Sequence, residues 1–185
     1  YEFEISDTDI TDRHRIFERI RKSNASVVLH LAAKTSVDGC EKDREEDLKR
    51  LSLRGAKNER RSQVPYGTWR SNPQRLEIAS PAELGRNDKN GGKTAWAINV
   101  FGTRNVVDAC RESKKKLIYI STDFVFDGSQ KTYREADTPN PINWYGITKY
   151  EGEKIVQNSS IPWIIARIAY PYRAHFEKKD FVRTL

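Results

Sequence analysis

The run Leu117-Ile118-Tyr119-Ile120-Ser121-Thr122-Asp123-Phe124-Val125-Phe126-Asp127-Gly128, followed by Tyr145-Gly146-Ile147-Thr148-Lys149, decides how this chain reads. Leu117 to Ile120 is an apolar, β-prone tetrad that stops at two hydroxyls, Ser121 and Thr122, which is how a buried strand ends. Tyr145 and Lys149 stand four residues apart, so on a helix they share a face. A phenol with an ordinary pKa near ~10 is a poor acid or base at neutral pH, and an ammonium one turn away favours the phenolate. Tyr145 thereby becomes a candidate general acid/base, and a strand-end hydroxyl could hold a carbonyl or alcohol against it. Alone, a Tyr-x-x-x-Lys is more often surface decoration, so its surroundings decide.

Working outward, strands and helices alternate. Ile10 to Arg21 carries Ile16, Phe17 and Ile20 on one helical stripe, with Thr11 or Asp12 as N-cap. Val27 to Leu31 reads as a strand leading into Ala32 and Ala33. Ala95 to Ser113 reads as a helix that packs through Ile98, Phe101, Val106 and Cys110, with Lys114, Lys115 and Lys116 at its negative pole. Tyr145 to Gln157 is a helix and Trp163 to Ile168 the last strand. Such alternation predicts an α/β fold, a Rossmann-like parallel sheet with helices on both faces and ligands beyond the carboxyl ends of its strands. Ala32, Ala33, Ser121, Thr122 and the loop after Ile168 fall at those ends.

Four segments in one order carry a resemblance: Val27 to Ala33, Ala95 to Cys110 with Asn99-Val100-Phe101-Gly102-Thr103, Leu117 to Gly128, and Pro139-Asn140-Pro141 before Tyr145 and Lys149. Together they resemble the extended short-chain dehydrogenase/reductase family, and most of all the dTDP-4-dehydrorhamnose reductase-like proteins. The resemblance implies a reductase of a nucleotide-linked 4-keto-6-deoxy sugar that uses NADP or NAD. Tyr145 would be the general acid, Lys149 would lower its pKa and bond the nicotinamide ribose, and Thr122 would orient the substrate, with Ser121 as the neighbouring alternative and Asp123 beside the substrate. Asp9, Ile10, Ala32, Ala33, Lys34 and Ser121, with Tyr145 and Lys149, would line the cofactor. Asn99 would support the active-site backbone, and Arg167 would lie near nicotinamide or serve as a structural ion-pair partner. Two other activities occur on the same residues: nucleotide-sugar epimerases or dehydratases, and the non-catalytic regulatory subunit of methionine adenosyltransferase.

Composition narrows the rest. Cys40 and Cys110 are far apart, and His14, His30 and His175 lack ligand spacing, so neither a disulfide framework nor a metal site is expected. No apolar run approaches the ~20 residues of a membrane span. The expectation is a cytoplasmic protein with a nucleotide-sugar substrate, room for a homodimer, and no membrane partner. The net charge of +7 concentrates in Arg44 to Lys93, where Pro65, Pro73, Pro81 and Gly91-Gly92 punctuate an aperiodic sequence. That pattern reads as an insertion, loop or disordered, rather than a nucleic-acid surface. The resemblance also expects a glycine-rich βα unit upstream of Tyr1 and most of a sugar-binding region beyond Leu185. The chain therefore reads as a fragment: 1–43 a partial dinucleotide-binding domain, 44–93 the insertion, 94–175 its continuation with the catalytic motif, and 176–185 the start of the substrate region. On that reading the chain alone binds NAD(P) weakly, because the backbone donors for pyrophosphate are not in it.

Overall fold

A computed structural model describes residues 4–55 and 93–169. Helix α1, Arg13–Lys22, is capped by Asp12, whose carboxylate accepts from the Arg15 amide, and it buries Ile16 and Ile20. Strand β1, Val27–His30, follows, then helix α2, Val37–Gly55. A helix opens at Ala95 and passes through a π-helical segment, Ala97–Gly102, into α3, Thr103–Glu112. Strand β2, Lys116–Thr122, ends in a 3-10 turn, Asp123–Val125. Helix α4, Trp144–Gln157, and strand β3, Trp163–Ile168, complete the order.

The three strands form one parallel sheet in the order β1-β2-β3, with Leu29 beside Ile118 and Ile118 beside Ile164. This is the Rossmann-like architecture that the alternation predicts. Side chains alternate across the sheet. His30, Tyr119 and Ile165 share the face on which His30 bonds Thr103 of α3 and Tyr119 reaches the Lys149 carbonyl of α4. On the other face Leu29 is 49% and Ile164 59% exposed, so the helices described cover one side of the sheet.

The core between sheet and helices joins Leu117, Tyr119, Val106, Trp144 and Val156 with Trp96, whose ring stacks on Trp144 at 5.7 Å. Ile10 belongs to it as well. A Cβ on Gly102 would lie 2.6 Å from the Ile10 Cδ1, so only glycine admits that side chain against the π segment.

One expectation needs correction. Residues 44–55, read as the start of a structureless insertion, continue α2 as helix, and Asp47 within them is 2% exposed. The acidic residues of α2 act as caps for other helices. Asp43 accepts from the Ala95 amide at 2.7 Å, Asp47 from the Trp96 amide at 3.1 Å and the Trp144 indole at 2.9 Å, and Glu41 from the Trp144 amide at 3.0 Å. The three amides are the orphan donors that any helix N-terminus presents. The remainder of the expected insertion, 56–92, lies outside the described residues, as does the segment from 170 onward.

Candidate active site

The site forms where β2 ends. Thr122 leaves the strand in extended conformation, and its hydroxyl caps the 3-10 turn by accepting from the Phe124 amide at 3.2 Å while donating to Asp123 at 3.0 Å. The same hydroxyl lies close enough to the Tyr145 phenol to lower its pKa. Tyr145 sits in the first turn of α4, which Asn143 caps through the Gly146 amide at 2.8 Å, and its ring meets Phe124 edge-on at 5.8 Å.

Lys149 lies one turn along α4 and is 3% exposed. Its ammonium donates to the Ile120 carbonyl at 2.7 Å and lies 4.1 Å from the centroid of the Tyr119 ring. Burial pushes its pKa down to about 7, against an opposing attraction from Glu153. Burial likewise raises the Tyr145 phenol above its ordinary value, and the Thr122 hydrogen bond only partly offsets this. That direction corrects the spacing argument, which expected Lys149 to favour the phenolate. The ammonium is turned toward the strand, and desolvation outweighs any help to the phenol.

Asn99 secures the floor. Its amide accepts from the Lys34 backbone N–H at 2.8 Å, donates to the Lys34 carbonyl at 3.1 Å, and donates to the Thr148 hydroxyl at 2.9 Å. Thr148 in turn donates to the Tyr145 carbonyl at 2.9 Å. One buried asparagine therefore ties the segment after β1 to α4. It stands inside the π segment, a helix irregularity common at functional sites.

The residues expected around a cofactor fare differently. Ser121 is 2% exposed and its hydroxyl has no partner. Ala32 is exposed and Ala33 partly so, just past the end of β1. Lys34 is close by, yet its ammonium is engaged by Asp43 at 2.5 Å and the Lys93 carbonyl at 3.2 Å. Asp9 is exposed and turned onto its own chain, accepting from the Thr11 amide and hydroxyl, which lowers its pKa. The Ile10 side chain is in the core, so it does not face a ligand. Arg167 pairs with the fully buried Glu153 at 2.9 and 2.7 Å, the structural ion pair held open above.

Sequence reasoning missed Glu153, Asp43 and Asp47. Glu153 carried a readable signal, four residues beyond Lys149 on the same helix, whereas the two aspartates were hidden in a run of alternating charges. Among the described residues no cluster of three or more His, Cys, Asp or Glu is arranged to hold a metal, and no helix is long and apolar enough to cross a membrane.

Three comparisons bear on this geometry. The β subunit of methionine adenosyltransferase 2 from Bos taurus is 42% identical over 84 residues, which cover 45% of this chain and 25% of that protein. A probable low-salt glycan biosynthesis reductase from Haloferax volcanii is 27% identical over 175 residues, covering 94% of this chain and 42% of the relative. The crystal structure of dTDP-4-dehydrorhamnose reductase from Bacillus anthracis, in complex with NADP, superposes with a TM-score of 0.66 at 28% identity and covers 100% of this chain and 48% of that one. The chain thus spans half or less of the length of these relatives. A family model, the RmlD substrate binding domain, matches residues 88–185. Because that match takes in more than half of the chain, and with it β2, α4 and β3, the chain belongs to the RmlD substrate binding domain family.

Proposed function

We propose that this chain carries the catalytic motif of an NAD(P)H-dependent reductase acting on a nucleotide-linked 4-keto-6-deoxy sugar, with a dTDP-linked rhamnose precursor as the favoured substrate. The observation that carries this reading is the packing of the end of β2 against Tyr145, whose ring meets Phe124 at 5.8 Å beside Thr122, with Lys149 one turn along. The B. anthracis reductase, solved with NADP, supports it.

A nicotinamide dinucleotide fits the residues present. The Ser121 hydroxyl is buried without a partner, and the Lys149 ammonium has donors beyond the one given to Ile120. Ser121, Lys149 and the backbone at Ala32 and Ala33 would hold the group, which in its reduced form supplies hydride. Thr122 orients the substrate carbonyl, with Asp123 beside it. Tyr145 then donates its proton to the carbonyl oxygen. Burial holds the phenol protonated at neutral pH, and it gives up its proton only as negative charge develops on the oxygen. Lys149 balances the phenolate that remains.

The test is turnover by the full-length protein with NADPH or NADH and a dTDP-linked 4-keto-6-deoxy sugar. Stoichiometric consumption of reduced cofactor is expected. Sugar interconversion on tightly held NAD, without net consumption, would replace this reading with an epimerase. The 42% identity to the methionine adenosyltransferase β subunit gives a second reading its footing: tight binding of a partner enzyme with no turnover would make the chain part of a regulatory subunit.

A further inference from the structure

Glu153 is not used by the chemistry proposed above, yet it is the most deeply buried acid of α4, with no exposed surface. Both of its carboxylate oxygens are occupied by Arg167 of β3, at 2.9 Å from Nε and 2.7 Å from a terminal guanidinium nitrogen. A buried ion pair is a weak source of stability, since apolar residues of similar volume often do as well or better. Its placement points elsewhere. Glu153 lies one helical turn beyond Lys149, on the same face of α4.

The titratable groups around Lys149 come from β1, β2, β3 and α4 itself, while Asp123 of the turn after β2 and Cys40 of α2 act on Tyr145. His30 of β1 is held neutral by burial, with its pKa pushed down to about 3. Tyr119 of β2 presents its ring to the ammonium, and its hydroxyl, raised well above the ordinary value by burial, stays protonated. Tyr145 lies one turn before on α4 and is also protonated, while Arg167 of β3 stands behind Glu153. Among these described groups Glu153 is the one whose negative charge acts on Lys149.

We propose that Glu153, clamped by Arg167, is a positioning residue: it supplies the fixed counter-charge that keeps the buried Lys149 ammonium protonated beside Tyr145. Its role in turnover rests on the reductase reading, whereas the charge relation to Lys149 does not. With burial alone acting, Lys149 falls further toward neutrality, and a neutral amine cannot balance a phenolate on Tyr145. The clamp also reaches the loop after β2. The Arg167 guanidinium lies 5.0 Å from the Phe126 ring, and Phe126 stacks on Tyr133 at 4.2 Å.

The experiment uses the full-length protein and follows the Lys149 side chain by NMR of Cε-labelled lysine across pH, in parallel with the pH profile of turnover. Glu153→Gln and the double variant Glu153→Met/Arg167→Met remove the charge, the second without leaving an unpaired partner. Both should lower the Lys149 midpoint by about one pH unit or more, and turnover at neutral pH by about tenfold. The alkaline limb should move with the midpoint, and Glu153→Asp should move both back toward the parent protein. A folded double variant whose Lys149 midpoint and pH profile match the parent would reduce the pair to a structural one and overturn the proposal. A shifted midpoint in a protein that never turns over, parent included, would uphold the charge relation and remove the reductase reading.

Discussion

The Trp144 indole N–H donates to the Asp47 carboxylate at 2.9 Å, joining the start of α4 to a residue 97 positions earlier. Asp47 also accepts the Trp96 amide, so one carboxylate serves both partners of the Trp96–Trp144 stack. Replacing it with alanine leaves two buried donors without an acceptor, each worth ~1–3 kcal/mol. Asp47→Ala should therefore lower the melting temperature by several degrees, at ~2–4 °C per kcal/mol for a chain of this size. An unchanged melting temperature would show that solvent or another group replaces the carboxylate.

The same contacts set a limit on shortening the chain. Exchange of 44–92 for a flexible linker removes Asp47, whereas exchange of 56–92 keeps all of α2. Because loop-closure entropy grows slowly with length, the second exchange should preserve the fold and the first should not. Circular dichroism and melting curves of the two variants decide this. Equal behaviour of the pair, whether folded or unfolded, would contradict it.

Much of this was legible in the sequence because each element announced itself locally. The apolar tetrad ending in Ser121 and Thr122 is a strand, one of the two candidate caps of α1, Asp12, is the cap, and the four-residue spacing of Tyr145 and Lys149 puts them on one helix face. What stayed hidden depends on tertiary context. Asp43 and Asp47 look like solvated charges until α2 is packed against two other helix starts. Ile10 looks equally suited to a ligand or a core, and only the space left by Gly102 decides for the core. The direction of the Tyr145 shift was misread for a related reason: spacing reveals a neighbouring charge but not how much water the fold removes.

Acid sensitivity should trace to His30. The ring bonds Thr103 at 3.1 Å, and burial holds its pKa near 3 against an ordinary 6.5. A histidine depressed in the fold contributes stability that is fully present above the unfolded value and is lost as pH falls from 6.5 toward about 3. In that window it contributes a slope of ~1.4 kcal/mol per pH unit. His30→Gln keeps a polar partner for Thr103 and removes the titration, so unfolding free energies measured by urea at a series of pH values should show a flatter acid limb. A limb as steep as the parent's would assign the loss to other groups.

Tyr145→Phe removes one hydroxyl while leaving the edge-on packing with Phe124 in place. In the full-length protein the chemical step should slow by at least the ~10² typical of a lost general acid, with cofactor affinity little changed. Lys149→Ala should harm both. Single-turnover kinetics and dinucleotide titration separate the two effects, and near-normal turnover by Tyr145→Phe would remove Tyr145 from the mechanism.

Gly146 offers the sharpest test of how the site is held together, because ordinary helix propensity predicts the wrong sign for its replacement. Within helices alanine is favoured over glycine, by up to ~1 kcal/mol in the interior. Here a Cβ would lie 2.2 Å from the Phe124 carbonyl oxygen and 3.0 Å from the Pro141 Cβ. The closer neighbour is backbone of the 3-10 turn, which can yield only by moving away from α4 and taking the Thr122 cap with it. Gly146→Ala should therefore destabilise the protein by ~1–3 kcal/mol, as overpacking does, and lower turnover by separating Thr122 from Tyr145. Thermal melts and steady-state rates on the same preparation test both effects. A more stable, fully active Gly146→Ala would show that the turn after β2 does not rest on α4.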